Sequence, residues 1–251
     1  GRRKKKKAGR GCLCKDEPKY SLKCCKENSV WNQKAGNTYI SLIPEGYGLL
    51  YNGFAVLSDI APDGFRVPTQ ADFTALTNRL APSIATTGGI LKSKRTNTDG
   101  EPYWETPNSG ATNTQAFSAF PAGVRDRFGA YADTHEYIKM ASVTANTGST
   151  QKSISLSSGN AFFSSTFYYF NEGVTVRCMS DSKPISRDVL DADGNSYSWI
   201  KIGDQYWLQQ PLRTTKYNNG DPITTGLDDN DWSATGSGAY ALPNDDKALP
   251  I

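Results

Sequence analysis

The sequence is poor in the residues and segments on which many common functions depend. Histidine occurs once in 251 residues, as His135 in Asp133-Thr134-His135-Glu136-Tyr137. A lone histidine between acidic neighbours is typical of a surface or hydrogen-bonded residue, because a general base also needs a nucleophile and an orienting partner. No apolar run approaches the ~20 residues that a membrane-spanning helix requires. We therefore expect a non-enzymatic protein without a membrane span.

Helical periodicity is also scarce, whereas turn-forming and aromatic residues are abundant. The chain contains 23 Gly, 13 Pro and 13 Tyr. This composition predicts many turns and short strands. The length is sufficient to bury a core in one large domain or two small ones.

Charge is distributed unevenly along the chain. Residues 1–26 contain 11 Lys and Arg against 2 Asp and Glu, a net charge of +9, so residues 27–251 carry −6. A basic run without interleaved aromatic residues fits a solvated tail, a contact with nucleic acid, or docking to an acidic protein surface in an assembly. The candidate contact residues are Arg2, Arg3, Lys4, Lys5, Lys6, Lys7 and Arg10.

Four cysteines follow in the same basic arm. Their spacing is Cys-x-Cys, nine residues, then Cys-Cys. It fits a tetrahedral thiolate zinc site, two disulfides in an arm without a core of its own, or unpaired thiols. A structural zinc is therefore the one cofactor to consider, with the candidate ligands Cys12, Cys14, Cys24 and Cys25.

The segment Ala61–Leu76 has the clearest local signals in the chain. Pro62-Asp63-Gly64 predicts a turn, because proline presets its own φ and glycine accepts a positive φ. A short extended run follows. Thr69 then predicts a helix start, with Asp72 as the acidic half of a capping box. The apolar positions of that helix fall on one face, and they are Phe73, Leu76 and Leu80.

This segment is also the first of several ordered blocks that resemble one protein family. Gly64-Phe65-Arg66-Val67-Pro68-Thr69 with Asp72-Phe73 and Leu76 resembles the "GWRVPT…EW..L" signature of the Fibrobacter succinogenes major paralogous domain family. The similarity covers roughly residues 40–251. It implies an α+β, C-type-lectin-like fold, related to formylglycine-generating enzymes, with short twisted sheets, few helices and long ordered loops. The further blocks are Tyr47–Val56, Gly88–Ser93, Tyr103-Trp104, Gly110–Asn113, Phe117–Arg125 and Val174–Cys178.

The order of the blocks departs from that family. Residues 191–251 resemble the family's opening, with an Asp-x-Asp-Gly-Asn turn followed by a hairpin that turns at Gly203. The resemblance implies a basic arm at 1–38, the main part of the domain at 39–181, a linker at 182–190 and the family's first strands at 191–251. The domain is then circularly permuted, or its last segment completes a neighbouring subunit, or a truncated second copy follows.

Aromatic residues mark the candidate ligand-binding surface. In the resembling family, exposed and variable strands and loops lie near residues 142–171. An aromatic cluster beside small polar residues suits sugar or protein recognition, since tyrosine provides a large contact area at low entropic cost. The alternative is that these rings pack inward or across a subunit interface. The candidate ligand contacts are Tyr168, Tyr169, Asn171 and Trp104.

The cysteine pattern of the family's catalytic branch is not recognisable here. Where resembling domains often carry a cysteine, this chain has Tyr240-Ala241, so Cys178 lacks its usual partner. Fold resemblance alone assigns no chemistry. We therefore expect no enzymatic activity.

Three functions fit these observations. The first is a bacteriophage virion protein, such as a head fibre or tail component, that displays a lectin-like domain for host attachment and docks through its basic arm. Such a protein would be a homo-oligomer whose partners are other virion proteins and a host-surface glycan or protein. The second is a bacterial cell-surface or secreted adhesin. The third is an intracellular protein that contacts nucleic acid through the arm.

Overall fold

The computed structural model describes residues 46–80, 83–96, 98 and 103–245. The predicted arm at 1–38, with its cationic residues and four cysteines, lies outside the described residues. The described part confirms an α+β fold with few helices and several small sheets.

Side chains cap the N-termini of the helices in the described part of the chain. Asn52, Ser83 and Asp228 each accept a hydrogen bond from a backbone N–H in the first turn of a helix, as capping residues do. The helices are α1 (Gly53–Val56), α2 (Gln70–Leu80), α3 (Ile84–Leu91) and α4 (Asp229–Ala234).

The capping box predicted for α2 is confirmed. The amide N–H of Thr69 donates to Oδ2 of Asp72 at 2.7 Å, and the Asp72 amide donates to Oγ1 of Thr69 at 3.2 Å. Phe73 and Leu76 are buried on the face that the periodicity indicates. The preceding turn is confirmed as well, with Gly64 at a φ of 76°.

Thirteen short strands make up the sheets of the described residues. They are β1 (Leu50–Tyr51), β2 (Val124–Arg125), β3 (Tyr131–Ala132), β4 (Tyr137–Thr147), β5 (Thr150–Ser157), β6 (Ser164–Tyr169), β7 (Val174–Thr175), β8 (Met179–Ser180), β9 (Val189–Leu190), β10 (Ser196–Tyr197), β11 (Trp199–Ile202), β12 (Gln205–Leu208) and β13 (Tyr240–Ala241).

The largest sheet has the order β13-β1-β7-β4-β5-β6, and only its β4–β7 pairing is parallel. A second sheet has the order β11-β12-β8, and β2 pairs with β3. The predicted hairpin turn is present at Gly203, with a φ of 61°. β12 pairs with β8 and β13 with β1, so residues 191–245 fold back onto the rest of the chain. The interval 182–190, expected to be a linker, ends in β9, which pairs with β10.

Two apolar clusters cover opposite faces of the largest sheet. Adjacent residues of a strand point to opposite faces, and on β4 the side chain of Met140 joins one cluster while that of Ala141 joins the other. The cluster on the Met140 side includes Trp104 and Trp207, and the other includes Tyr168.

A buried cation connects the C-terminal hairpin to this core. The guanidinium of Arg177 is fully buried and donates to the carbonyl oxygens of Phe117 (2.7 Å), Ser118 (3.2 Å), Leu208 (3.1 Å) and Gln209 (2.5 Å). Its partners among the described residues are carbonyl groups rather than carboxylates. Burial therefore lowers the pKa of Arg177 to about 9.

Lys92 has the same role for two of the loops. Its buried ammonium group donates to the carbonyl oxygens of Ser109, Ser157 and Asn160 at 2.8–3.0 Å. It also lies 5.1 Å from the centre of the Trp104 ring. Burial lowers the pKa of Lys92 to about 8. Both loops are therefore ordered by hydrogen bonds to a buried charge.

Replacing Arg177 should strongly destabilise the fold. In Arg177→Met, two buried and two partly buried carbonyl oxygens lose this donor, and we expect the free energy of unfolding to fall by about 3 kcal/mol or more. Denaturant unfolding measures this loss. The matched control is Arg187→Met at an exposed position, where a change within about 0.5 kcal/mol is expected. A loss below about 1 kcal/mol in Arg177→Met would contradict the assigned role.

Asp72 should give the fold a defined acid dependence. Burial alone would raise the pKa of Asp72, but hydrogen bonds from Arg66 and Thr69 outweigh burial and lower this pKa from 3.8 to about 2. The ionised carboxylate therefore stabilises the fold above pH 3.8, and this contribution disappears as the pH falls from 3.8 to 2. Asp72→Asn should be less stable than wild type at pH 7, and the difference should vanish near pH 2.

Chemical denaturation across that pH range tests the Asp72 prediction. Asp204→Asn is the matched control, because Asp204 is exposed in the turn between β11 and β12. A stability difference between wild type and Asp72→Asn that stays constant from pH 7 to pH 2 would contradict the prediction.

Candidate ligand-binding surface

A cluster of exposed aromatic residues lies at the end of the largest sheet. Phe128 is 64% exposed and Phe167 is 46% exposed. Phe167 and Tyr169 are two residues apart on β6 and share one face, with their rings edge to face at 5.9 Å. Lys152 lies opposite Phe167 on β5, so its side chain shares this face. The surface therefore combines aromatic area with positive charge.

Arg127 is at the centre of this surface. Its guanidinium carbon lies 4.7 Å from the centre of the Phe128 ring and 4.4 Å from that of Tyr169. Such contacts fix the orientation of a cation and contribute roughly 0.5–1 kcal/mol at exposed sites. Within the part of the chain that the structure describes, Arg127 forms no ion pair, so its N–H groups can donate to a ligand.

A groove of about 400 Å³ adjoins the guanidinium. We call it the Arg127 groove, since Arg127 is the charged residue of its lining. The aromatic lining residues are Phe54, Phe128, Tyr169 and Phe170, and the polar ones are Ser149, Asn171, Ser233 and Thr235.

The turn between β2 and β3 presents Arg127 and Phe128 to solvent. The carboxylate of Asp126 accepts hydrogen bonds from the amides of Phe128 (2.8 Å) and Ala130 (3.0 Å), an arrangement typical of aspartate in turns. Gly129 completes the turn at a φ of 100°. A Cβ at Gly129 would lie only 2.4 Å from Cα of Asp229 in α4. The turn is therefore packed tightly against the C-terminal segment.

Arg125 fixes the base of the same turn. Its side chain is buried, and Nε donates to the carbonyl of Gly129 at 2.8 Å. It also contacts the carbonyl of Leu227 at 2.9 Å, the carboxylate of Asp229 at 3.3 Å, and the rings of Trp232 at 4.4 Å and Tyr131 at 5.0 Å. Arg125 also borders a larger cavity of about 610 Å³, but its guanidinium is already bonded to protein groups there.

The second wall of the groove is the turn that follows β6. The amide of Phe170 donates to the carbonyl of Ser149 at 3.1 Å, and the ring of Phe170 stacks on that of Phe54 at 5.3 Å. Nδ2 of Asn171 donates to the carbonyls of Arg127 (3.3 Å) and Ser233 (3.0 Å). Asn171 thus connects the β2–β3 turn with α4 across the groove.

Two of the predicted ligand contacts are in the groove and two are in the core. Tyr169 and Asn171 line the groove. Tyr168 points to the opposite face of β6, where it is fully buried, its hydroxyl donates to the carbonyl of Ser142, and burial raises its pKa well above the usual range. Trp104 is also fully buried and donates to the carbonyl of Ala119 at 2.9 Å. Neither Tyr168 nor Trp104 is accessible to a surface ligand.

Sequence reasoning missed Arg127, Phe128, Lys152 and Phe54. A local signal existed for two of them, because Asp126-Arg127-Phe128-Gly129 reads as a turn with a large aromatic residue at its tip. The contact between Arg127 and Tyr169 joins segments that are far apart in the sequence. No local pattern encodes that contact.

The described ranges contain neither a metal-binding cluster nor a membrane-spanning helix. Among those residues, no group of three or more His, Cys, Asp or Glu side chains is arranged to hold a metal ion. The described helices are all too short or too polar to cross a membrane.

Cys178 is a free, buried thiol, and burial raises its pKa to about 12.

A family model of the Fibrobacter succinogenes major domain matches residues 13–180, more than half of the chain. The chain belongs to the Fibrobacter succinogenes major domain family. The match begins earlier than the residue 40 expected from the sequence blocks, and it ends before residues 191–251. The likeness of that last segment to the family's opening thus stays a prediction. No curated protein and no solved structure matches the chain.

The Arg127 groove of this family member combines matched and unmatched parts of the chain. The β2–β3 turn and the residues around β6 lie inside the matched region. Ser233 in α4 and Thr235 directly after it lie outside that region. The groove therefore depends on the C-terminal segment.

Gly129→Ala should disturb the groove through a steric clash. A positive φ alone costs about 1–2 kcal/mol for a non-glycine residue, and the overlap with Asp229 should add roughly 1–3 kcal/mol. The control is Gly220→Ala, because Gly220 has a similar φ of 90° and no atom within 4 Å of an added Cβ. Denaturant unfolding of both variants measures the difference. Equal losses would show that the turn does not pack against α4 as described.

Proposed function

We propose that this chain is a non-enzymatic binding module that attaches a multi-subunit assembly to a host surface through the Arg127 groove. The observation that supports this is the grouping, in one groove, of four exposed or half-buried rings, small polar side chains and a guanidinium that forms no ion pair with the described residues. Flat aromatic rings offer apolar area to the ring faces of a sugar, and hydroxyl and amide groups match its hydroxyls. We include in the proposal that the fold is C-type-lectin-like.

The assembly that we favour is a bacteriophage virion, with this chain as a head-fibre or tail component. Residues 1–26 carry a net charge of +9, and residues 27–251 carry −6. These opposite charges favour a different partner for each part of the chain. The basic arm would dock to the particle while the domain is displayed. Several copies on one particle would raise the avidity for a repetitive surface.

Cell binding of the full-length chain tests the proposed attachment. We expect binding to candidate host bacteria that disappears after periodate oxidation of their surface glycans. Phe128→Ala combined with Tyr169→Ala should weaken binding tenfold or more, as expected when central aromatic contacts are removed. Phe162→Ala is the matched control, because Phe162 is 51% exposed and does not line the groove. Binding that resists both periodate and the double substitution would contradict glycan attachment.

The location of the protein separates a virion component from an adhesin. Density-gradient separation of lysed cultures, with antibody detection of the chain, should place it with the phage particles. Recovery with the cell envelope instead would contradict the virion assignment and favour the bacterial adhesin, which would use the same groove.

A further inference from the structure

The described lining of the Arg127 groove carries a positive charge, whereas the domain as a whole is acidic. Residues 27–251 carry a net charge of −6, yet Arg127 and Lys152 lie on the exposed aromatic surface, and neither forms an ion pair within the described ranges. Glu172, which accepts a hydrogen bond from the Tyr169 amide, is largely buried and paired with Lys139. Among the described residues, no carboxylate lines the groove. Carboxylates do lie close by, since Asp126 belongs to the same turn and Asp229 to α4. The positive charge is therefore that of the lining, within an acidic domain.

We infer that the Arg127 groove binds an acidic polysaccharide, with the carboxylate of a hexuronate on Arg127 and a sugar ring against Tyr169. This inference rests on the proposed function and specifies its ligand class. The rings of Phe128 and Tyr169 hold the guanidinium in place without hydrogen-bond acceptors. Its planar set of donors therefore remains available to a carboxylate, which it can bind through two hydrogen bonds.

Apart from Arg127, the residues that line the groove are uncharged, and this favours a sugar over a nucleic acid as the ligand. The hydroxyls of Ser149 and Ser233 have no hydrogen-bond partner among the described residues, nor has Oδ1 of Asn171, whose Nδ2 holds the wall of the groove. Donors and acceptors of this kind suit sugar hydroxyls. Single-stranded nucleic acid is instead bound along a row of cationic side chains that spans several nucleotides. This surface has two cationic side chains, Arg127 and Lys152.

Matched carboxylated and neutral oligosaccharides test the inference with the full-length chain. The probes are trisaccharides from polygalacturonate, alginate and hyaluronate, each beside its carboxyl-reduced form, with affinities measured by calorimetry. At least one acidic probe should bind tenfold or more tightly than its reduced form, and the difference should shrink as salt is raised from 50 to 500 mM.

Substitutions at Arg127 separate its charge from its geometry. Arg127→Gln should remove the tenfold preference, so that the acidic probe binds no more tightly than its reduced form. Arg127→Lys should retain part of the preference, because a lysine keeps the charge without the planar donors. Arg187→Gln is the control for loss of an exposed cation outside the groove, and it should behave as wild type.

A localised measurement distinguishes the groove from the basic arm, which also attracts polyanions. Bound acidic trisaccharide should slow amide hydrogen exchange in residues 126–130 and 167–171. Protection confined to residues 1–26, or tighter binding of oligodeoxythymidylate than of every acidic trisaccharide, would overturn the inference.

The outcomes also separate this inference from the proposed function. Periodate-sensitive cell binding that Arg127→Gln leaves unchanged, or equal affinity for acidic and reduced probes, would overturn the acidic-ligand inference while glycan attachment stands. Absence of periodate-sensitive binding in the wild type would overturn both.

Discussion

The fold depends on a buried positive charge whose partners among the described residues are carbonyl groups and not carboxylates. Arg177 is stabilised only if the carbonyls of Phe117, Ser118, Leu208 and Gln209 converge on it, because a buried charge lacking such partners is strongly unfavourable. These carbonyls belong to a loop and to the end of β12, which must therefore assemble together with the strands beside Arg177. Lys92 imposes the same condition on Ser109, in that same loop, and on Ser157 and Asn160 at the end of β5 and in the loop after it. These buried charges thus order long segments of the chain that contain few helices and strands.

Two arginines two residues apart illustrate how the same side chain can occupy two different environments. Arg125 is buried, and its donors are bonded to Gly129, Leu227 and Asp229. Arg127 is exposed at the turn and contacts aromatic rings instead of acceptors. The first fixes the turn against α4, and the second is thereby held at a constant position beside the groove. Rigid support of this kind lowers the entropic cost of binding a ligand.

Local features could be predicted from the sequence, and long-range contacts could not. The capping box at Thr69 and the hairpin turn at Gly203 follow from neighbouring residues, and both are present. Alternation along β6 requires Tyr168 and Tyr169 to face opposite sides, but the side that faces the core depends on pairing with β5. The stacking of Arg127 on Tyr169 likewise requires the β2–β3 turn to meet the end of β6. Of the four predicted ligand contacts, Tyr169 and Asn171 therefore lie at the groove and Tyr168 and Trp104 lie in the core. Arg127 was not among them.

The position of Tyr169 at the end of an edge strand has a mechanical consequence. β6 is bonded to β5 alone, in an unbroken register from Thr150 opposite Tyr169 to Ser155 opposite Ser164. A pull on a ligand directed along β6 would load all these backbone hydrogen bonds in shear at once. A pull perpendicular to the sheet edge would open them one after another, beginning at Tyr169. The strength of attachment under flow would then depend on the direction in which the ligand leaves the groove.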